Sequence, residues 1–366
     1  MITSLYVNNF RCLVGFKADF DNFGVLCGPN GSGKSSVFDA LRLIRNLASG
    51  DGVLGAESDR DIPHLEFTNW QKSTIQEFEL RVTAQGHTFD YIVHLEQTAN
   101  FEKPRFIKEQ AKCDDKILFE RDLKGVRFKN QAGFPLDWRQ AALASVQPTG
   151  SRSELAILQD AVGKLLILRP NPRSMERESK AESKRPDLYL TGLTSWYRSL
   201  SQDLERTIKL RDLLQEVWPD FRSLRLVDVG LNAKALQLRF GSENSGDAGG
   251  LFFEHLSDGE KALIGLYMVR AALATGAVDT VLIDEPDNYV GLPELQPWVL
   301  SLRELIDEHH QAILITHHPE VLRNAGQENG RYLWRDNHTS PTRIGPLDIP
   351  EGMAPDEAIA RGWVRG

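Results

Sequence analysis

The sequence has little cysteine, no excess of positive charge and no long apolar segment. Its 366 residues include three scattered cysteines (Cys12, Cys27 and Cys113), which form neither a metal-binding pattern nor a disulfide framework. Such a set suits a reducing compartment, and we expect a cytoplasmic protein. No run approaches about 18 apolar residues and the N-terminus lacks a basic or apolar leader, so we expect neither a transmembrane helix nor a signal peptide. A formal net charge of −8 excludes a surface that is basic throughout but allows a local basic groove.

The pattern of apolar residues divides the chain into three parts. Residues 1–150 begin with a strand, a glycine-rich turn and a helix, and alternating apolar residues then predict strands between 75 and 130. Residues 151–222 are predicted to be helical, with apolar residues at helical spacing from Leu155 to Leu166 and further helices near 193–200 and 204–217. Residues 223–366 form the third part, in which residues 252–321 return to the alternation of helix and strand that is typical of a parallel α/β sheet.

The strongest local motif lies at residues 28–36, which read GPNGSGKSS and fit the pattern G-x-x-x-x-G-K-[ST]. The motif lies between a short apolar strand and an amphipathic helix, as phosphate binding requires. Glycines let successive backbone N–H groups turn toward phosphate oxygens, and the helix N-terminus adds positive potential. We expect Lys34 to reach the β- and γ-phosphates and Ser35 to give its hydroxyl to Mg²⁺. The candidate nucleotide-binding residues are Asn30, Gly31, Ser32, Gly33, Lys34, Ser35 and Ser36.

A second motif is an apolar strand that ends in two acids, Asp284 and Glu285. A core strand explains the apolar run but not the acids, because burying carboxylates without a partner is costly. The carboxyl end of a parallel strand is where α/β sheets place their ligands. We therefore expect Asp284 to hold Mg²⁺, directly or through water, and Glu285 to polarise the water that attacks the γ-phosphate.

Two further motifs are ambiguous by themselves. Residues 257–260 read Ser-Asp-Gly-Glu, which is also an ordinary helix N-cap with acids in the first turn. An apolar strand from Ala312 is followed by His317 and His318, and a histidine at a strand end is usually structural.

In this order, the four motifs resemble the ABC-type ATPases of the SMC, RecF and OLD (overcoming-lysogenisation-defect) group. Residues 5–13 (LYVNNFRCL) are similar to that group's first strand, and the best likeness is to compact bacterial AAA-family ATPases without a long coiled coil. The tail after His317 is short and has no cluster of acids, so we expect no in-chain nuclease.

The resemblance implies an α/β fold, an ABC-type P-loop ATPase head with a mixed sheet, an antiparallel β subdomain and a helical insertion. Residues 1–150 would then be the N-terminal ATPase lobe with the Walker A motif and the β subdomain. Residues 151–222 would be the helical insertion. Residues 223–366 would be the C-terminal lobe with the signature, the Walker B motif, the switch histidine and a short tail.

The resemblance also assigns roles to further residues. Ser257 and Gly259 would grip the γ-phosphate of a nucleotide held by a second copy of the chain. His317 would be the switch histidine that contacts the γ-phosphate, with His318 as the alternative. Gln147 is the candidate Q-loop glutamine and Gln159 the alternative, although each is equally consistent with an ordinary surface residue. Arg11, in the first motif of the group, is a further candidate for nucleotide contact.

These roles together imply an ATPase that dimerises around two ATP molecules with Mg²⁺. The resemblance places it in DNA-associated anti-phage defence or genome maintenance, with a separately encoded effector and no membrane partner. The alternative is a regulatory subunit that controls a partner toxin or nuclease without touching DNA, and a transporter ATPase is a distant third. Acids interleave with the basic residues of the middle region, so a solvated charged face competes with a DNA track there. Those basic residues are Arg169, Arg173, Arg177, Lys180, Lys184, Arg185, Arg198, Arg206, Lys209 and Arg211.

Overall fold

The computed structural model describes residues 1–56, 62, 64–98, 103–128, 133–148, 150, 153–241, 250–318, 321–323, 329–349, 352–354, 357–358, 361 and 364. The chain forms two compact units. The first contains Met1–Leu165 and Glu328–Gly366, and the second contains Leu166–Gln327.

Strands and helices follow one another along both units. In chain order they are β1 (Ile2–Asn8), β2 (Phe16–Asp19), β3 (Phe23–Cys27), α1 (Lys34–Ser49), β4 (Ile75–Ala84), β5 (His87–Glu96), β6 (Arg105–Cys113), β7 (Lys116–Asp122), β8 (Gly125–Phe128), α2 (Ala142–Ser145), α3 (Glu154–Gly163), β9 (Leu165–Leu168), β10 (Glu178–Ser179), α4 (Leu193–Leu200), α5 (Leu204–Val217), β11 (Phe221–Gly230), β12 (Ala233–Phe240), β13 (Leu251–Phe252), α6 (Asp258–Ala274), β14 (Thr280–Asp284), α7 (Leu292–Leu305), β15 (Gln311–Ile315), β16 (Gly330–Trp334) and β17 (Arg343–Pro346).

The first unit contains an antiparallel sheet with the strand order β2-β1-β4-β5-β6-β7-β8. Buried and more exposed residues alternate along its strands, because successive side chains on a strand point to opposite faces of the sheet. On β4, for example, Phe78, Leu80 and Val82 are buried while Glu79 and Arg81 are not. The strands predicted between residues 75 and 130 are thereby confirmed.

The phosphate-loop motif belongs to a separate, mixed group of strands in the first unit. Strand β3 pairs with β16 in parallel, and β16 pairs with β17 in antiparallel fashion. Every residue of β3 except Gly24 is buried, so the strand holds the beginning of the following loop firmly.

The second unit carries the two strands that end in predicted site residues. Strands β14 and β15 are parallel and buried over their whole length, and β9 lies next to β14. The register pairs Asp284 with Ile315, so both strands end at the same edge. A smaller antiparallel sheet is formed by β10, β12 and β11, with β13 on β12.

The middle region differs from the sequence expectation in two places. Helix α3 ends at Gly163, and Leu165–Leu168 form strand β9 rather than a further helical turn. All four leucine and isoleucine residues of β9 are buried, and a strand that is covered on both faces has no alternating pattern. The antiparallel hairpin of β11 and β12 was not predicted at all. Helices α4 and α5 lie where the sequence predicted them.

Candidate functional site

The phosphate loop connects β3 to α1 and requires glycine at two positions. Gly28 and Gly33 have φ angles of 145° and 103°, which side-chain-bearing residues rarely adopt. A Cβ atom on Gly28 would lie 2.0 Å from the carbonyl oxygen of Leu333, and one on Gly33 would lie 2.4 Å from Oγ1 of Thr342. The close approach of β16 and of the segment before β17 therefore fixes the path of the loop.

The positive end of α1 faces this loop. Lys34, the first residue of the helix, is 6% exposed, and its Nζ donates hydrogen bonds to the carbonyl oxygens of Gly28 (2.9 Å) and Pro29 (3.0 Å). Gly33 has no side chain to cap the helix, and the first turn contains no acid. The first turn of α1 thus offers its N–H groups and the ammonium group and contributes no acid of its own, as an anion site requires.

The hydroxyl groups of the loop also fit a bound phosphate. Ser32 is 3% exposed, and its Oγ has no hydrogen-bond partner among the described residues, although its carbonyl oxygen accepts from Thr342 Oγ1 (2.8 Å). A buried hydroxyl without a partner is costly, so a ligand oxygen at this position would compensate it. Ser35 and Ser36 are half-buried at the start of α1, and Asn30 and Gly31 are exposed. Backbone N–H groups, one ammonium and several hydroxyls suit a nucleotide phosphate with Mg²⁺.

Arg11 lies beside the same helix. Its guanidinium group forms ion pairs with Asp39, on α1, and with Glu66, and about a third of the side chain is exposed. The neighbouring Cys12 donates from Sγ to Ser36 Oγ (3.5 Å). The first strand's motif is therefore attached to the helix that carries Lys34, and Arg11 stays a candidate for nucleotide contact.

The two candidate glutamines have different environments. Gln159, on α3, donates from Nε2 to the carbonyl oxygens of Leu143 (2.6 Å) and Val146 (2.8 Å). These bonds hold the end of α2, directly before Gln147. Gln147 itself is exposed. A structural role thus accounts for Gln159, and Gln147 remains the candidate Q-loop residue.

A buried acid holds the other end of α2. Glu109, on β6, is fully buried and accepts hydrogen bonds from the backbone N–H groups of Ala142 (2.6 Å) and Leu143 (2.8 Å). It also accepts from the Tyr91 hydroxyl (2.8 Å) and pairs with Arg121 (3.3 Å), which is itself buried. Burial raises the pKa of Glu109, and the two N–H groups and Arg121 oppose that rise. The segment before Gln147 is therefore fixed to the antiparallel sheet.

In the second unit, Asp284 is ion-paired at the end of β14. Its side chain is 4% exposed, and its Oδ2 accepts from Nη2 (2.6 Å) and Nε (2.8 Å) of Arg169. Arg169 directly follows β9, the strand next to β14. A buried carboxylate needs a cation, and Arg169 supplies one to the predicted Mg²⁺ ligand.

Glu285 has an unusual backbone conformation. Its φ angle is 53°, in the left-handed region, where a non-glycine residue costs about 1–3 kcal/mol. The backbone is held there because the Glu285 N–H donates to the carbonyl oxygen of Ile315 (2.8 Å). Its carboxylate accepts from Asn288 Nδ2 (2.7 Å). Strain that is maintained next to a buried acid is typical of functional sites.

The ends of β14 and β15 are joined by a hydroxyl group. Thr316 is fully buried and donates from Oγ1 to Asp287 (2.6 Å), while the His318 N–H donates to the same hydroxyl (2.9 Å). His317 is exposed and His318 half-buried. The structure thus brings Asp284, Glu285 and the two histidines to one edge of the second unit.

The predicted signature begins α6. Ser257 caps the helix through a capping box, in which its Oγ accepts from the Glu260 N–H (3.3 Å) and Glu260 Oε2 accepts from the Ser257 N–H (2.8 Å). A Cβ on Gly259 would lie 2.8 Å from the carbonyl oxygen of Tyr289, in the loop that follows Glu285. The signature turn therefore packs against that loop, and this contact requires a glycine.

Sequence reasoning missed the partners of the two arginines that follow β9. Arg169 pairs with Asp284, and Arg173 pairs with Asp258 in the first turn of α6 (3.0 Å). The sequence did contain an indication, since both arginines come after an apolar run, just as Asp284 and Glu285 come after the apolar residues of β14. Other basic residues of the middle region also form ion pairs within the second unit. These are Arg177 with Glu178 and Glu254, Arg198 with Glu182, Arg206 with Asp203, and Arg211 with Asp212.

Comparisons with known proteins identify a family and a fold. The family model described as "AAA domain, putative AbiEii toxin, Type IV TA system" matches residues 23–323. An SMC head bound to the C-winged helix domain of ScpA is similar over 96% of this chain and 99% of its own, with a TM-score of 0.58 and 14% identity. An Smc head with an extended coiled coil, bound to the C-terminal domain of ScpA and derived from Pyrococcus furiosus, is similar over 94% and 96%, with a TM-score of 0.52 and 15% identity.

No curated protein sequence matches the chain. In the part of the chain that the structure describes, no helix is long and apolar enough to cross a membrane. The family match covers most of the chain, and the structural likenesses show the fold. The chain therefore belongs to the AAA-domain family of the AbiEii type and has the fold of an SMC-like, ABC-type ATPase head.

Proposed function

We propose that this protein binds and hydrolyses ATP with Mg²⁺, and that two copies close around two ATP molecules. The observation that carries the proposal is the phosphate loop, in which two required glycines, the buried Lys34 and the uncapped start of α1 form an anion site. The acids at the end of β14 would supply a metal ligand and the base. Membership of the family supports the proposal that they act on the nucleotide bound by the phosphate loop.

Each residue has a physical task in this reaction. Lys34 and the N–H groups of α1 bind the phosphates, and Ser35 and Asp284 would hold Mg²⁺. The metal, when bound, neutralises phosphate charge during transfer. Glu285 accepts a proton from the attacking water, and its strained backbone and the bond from Asn288 hold the carboxylate in place for this step. His317, exposed at the end of β15, contacts the γ-phosphate.

The signature gives the reason for a second copy. Ser257 and Gly259 begin α6, whose N-terminus is useful only when a phosphate lies before it. In ATPases that resemble this chain, that phosphate belongs to the opposite subunit. Two copies related by a twofold axis would then build two composite sites, with Gln147 and Arg11 as further contacts.

Trapping the nucleotide tests this proposal. Glu285→Gln should retain ATP and lose most hydrolysis, because the phosphate contacts remain while the base is lost. Mass measurement in solution should then show an ATP-dependent dimer. Adding Ser257→Arg, which places bulk and charge at the start of α6, should abolish that dimer. A trapped protein that stays monomeric, or a Ser257→Arg variant that still dimerises with ATP, would contradict the composite site.

The biological role is a further part of the proposal. The resemblance implies DNA-associated defence or genome maintenance with a separately encoded effector. The second candidate is a regulatory subunit that holds a toxin or nuclease inactive without DNA. The ion pairs of the middle region favour it, because the acids in these pairs offset the positive charge that would attract DNA phosphates.

Two measurements separate these roles. If the middle region is a DNA track, reversing the exposed Lys180 and Lys184 to Glu should weaken duplex binding for all sequences and flatten its salt dependence. Unchanged affinity, together with ATP-dependent capture of the neighbouring gene's product in native mass spectrometry, would favour the regulatory subunit.

A further inference from the structure

The signature face, formed by Ser257 and the first turn of α6, carries negative charge that would repel a phosphate. The first turn of α6 carries two acids, Asp258 and Glu260, and the capping box keeps the Glu260 carboxylate at the helix start. The N-terminus of a helix carries roughly half a positive charge, and the negative charges of the two carboxylates outweigh it. A γ-phosphate approaching Ser257 therefore needs a further cation on this face.

Two basic side chains lie near the turn, and they are placed differently. The Nζ of Lys261 lies over the ring of Phe253, 5.9 Å from its centroid. Arg173 donates from Nε to Asp258 Oδ2 (3.0 Å), and its side chain is 73% exposed. Nη1 and Nη2 of Arg173 donate to no partner within the described residues, so four of its five N–H bonds are available.

Arg173 is also held in place before any ligand arrives. Its guanidinium lies 5.8 Å from the ring centroid of Tyr289, the residue whose carbonyl oxygen packs on Gly259. The turn that carries it is rigid: Pro172 is buried, and the Arg173 N–H donates to Oδ1 of Asn171 (3.2 Å). The carboxylate of Asp258 and the ring of Tyr289 together orient the guanidinium group of Arg173. Less entropy is therefore lost when it binds an anion.

We propose that Arg173 contacts the γ-phosphate of the ATP bound by a second copy of this chain. The inference rests on the composite site proposed above and adds the guanidinium group of Arg173 to the signature turn. Asp258 keeps its bond to Nε and holds the guanidinium, and Nη1 and Nη2 turn to the phosphate oxygens. Charge-assisted and bidentate bonds of this kind are about twice as strong as neutral ones.

Arg173→Ala should lower ATP turnover by at least about 100-fold, since arginines that stabilise phosphoryl transfer contribute about 10³–10⁵. In the Glu285→Gln background, it should also weaken the ATP-dependent dimer at least about tenfold, because a bidentate charged contact is lost. Arg173→Lys keeps the charge but loses the planar guanidinium group that binds Asp258 and offers two more nitrogens to the phosphate, so it should recover only part of both. Arg177→Ala is the matched control, because Arg177 is similarly exposed (66%) and pairs with Glu254 at 3.2 Å.

A mixing experiment tests whether the contact is made in trans. Lys34→Ala and Arg173→Ala homodimers should each be inactive, but a mixed dimer joins an intact phosphate loop to an intact Arg173. At a protein concentration that saturates dimerisation, an equal mixture should recover up to about a quarter of wild-type turnover, because half of the dimers are then mixed and each has one complete site. A mixture of Lys34→Ala and Ser257→Arg should also recover, because the complete site of a mixed dimer faces the intact Ser257 and the introduced arginine faces only the site that lacks Lys34. ATP binding to dilute, monomeric Arg173→Ala should equal that of wild type.

The outcomes separate this inference from the proposed function. Recovery in both mixtures supports the trans contact. Recovery with Ser257→Arg alone, or weaker ATP binding by monomeric Arg173→Ala, overturns the inference and leaves the composite site standing. If neither mixture recovers, the composite site and the inference both fail. An Arg173→Ala variant that hydrolyses ATP like the Arg177→Ala control also overturns the inference.

Discussion

Removing Arg169 should reveal how the carboxylate of Asp284 is neutralised. Both arginine donors bind the same oxygen, at 2.6 and 2.8 Å, and the Asp284 side chain is 4% exposed. Arg169→Ala therefore leaves a buried carboxylate that has lost a cation and two hydrogen bonds. Mg²⁺ bound at the same carboxylate would supply positive charge in place of the arginine, so the effect of the substitution should depend on Mg²⁺.

The magnitude follows from burial. Breaking a fully buried ion pair costs about 3–5 kcal/mol of unfolding free energy. Arg169 is about a third exposed, so water can reach the position it leaves, and we expect a loss of about 2 kcal/mol in EDTA. With Mg²⁺ and ATP in the Glu285→Gln background, the loss should shrink to below about 1 kcal/mol, since a cation again faces Asp284.

Urea unfolding in EDTA and in Mg²⁺ with ATP measures both values. The controls are Arg169→Lys, which keeps the charge and loses the fork, and Arg177→Ala, an exposed arginine of the same unit, which should change stability by less than about 0.5 kcal/mol. An equal loss in both conditions would refute the idea that Arg169 and Mg²⁺ share this carboxylate. If Arg169→Ala lowers the unfolding free energy in EDTA no more than Arg177→Ala does, the argument that burial of Asp284 makes this ion pair costly to break would be refuted.

Two further predictions concern the first unit. Glu109→Ala removes a fully buried acid that faces a buried arginine and two N–H groups of α2, so the unfolding free energy in urea should fall by about 3–5 kcal/mol. The control Glu120→Ala, at a half-buried residue whose side chain is 44% exposed, should lower it by less than about 0.5 kcal/mol. Burial raises the pKa of Cys27 to about 12, so its thiol should stay protonated and unreactive at pH 8. The half-buried Cys12 lies beside the phosphate loop, so it should react with a thiol reagent, and bound ATP should slow that reaction. Rapid labelling of Cys27 in the folded protein, or a labelling rate of Cys12 that ATP does not change, would count against this placement.

Local sequence determined the elements whose pattern is carried by neighbouring residues. The phosphate loop was predictable because its glycines, lysine and serine act through adjacent backbone groups. Helices α4 and α5 were predictable because their apolar residues recur at helical spacing. The acids at the end of β14 were recognisable because a buried strand does not normally end in two carboxylates.

Tertiary structure alone decided the partners of those residues. Leu165 and Leu166 fit the periodicity of α3, and burial on both faces made them a strand. Nothing near Gln159 in the sequence shows that its amide holds the end of α2. The pairing of Arg169 with Asp284 spans 115 positions, and that of Arg173 with Asp258 spans 85. Such contacts depend on which strand ends and helix starts the fold brings together, and a charged side chain shows only that it needs a partner, not which partner it will meet.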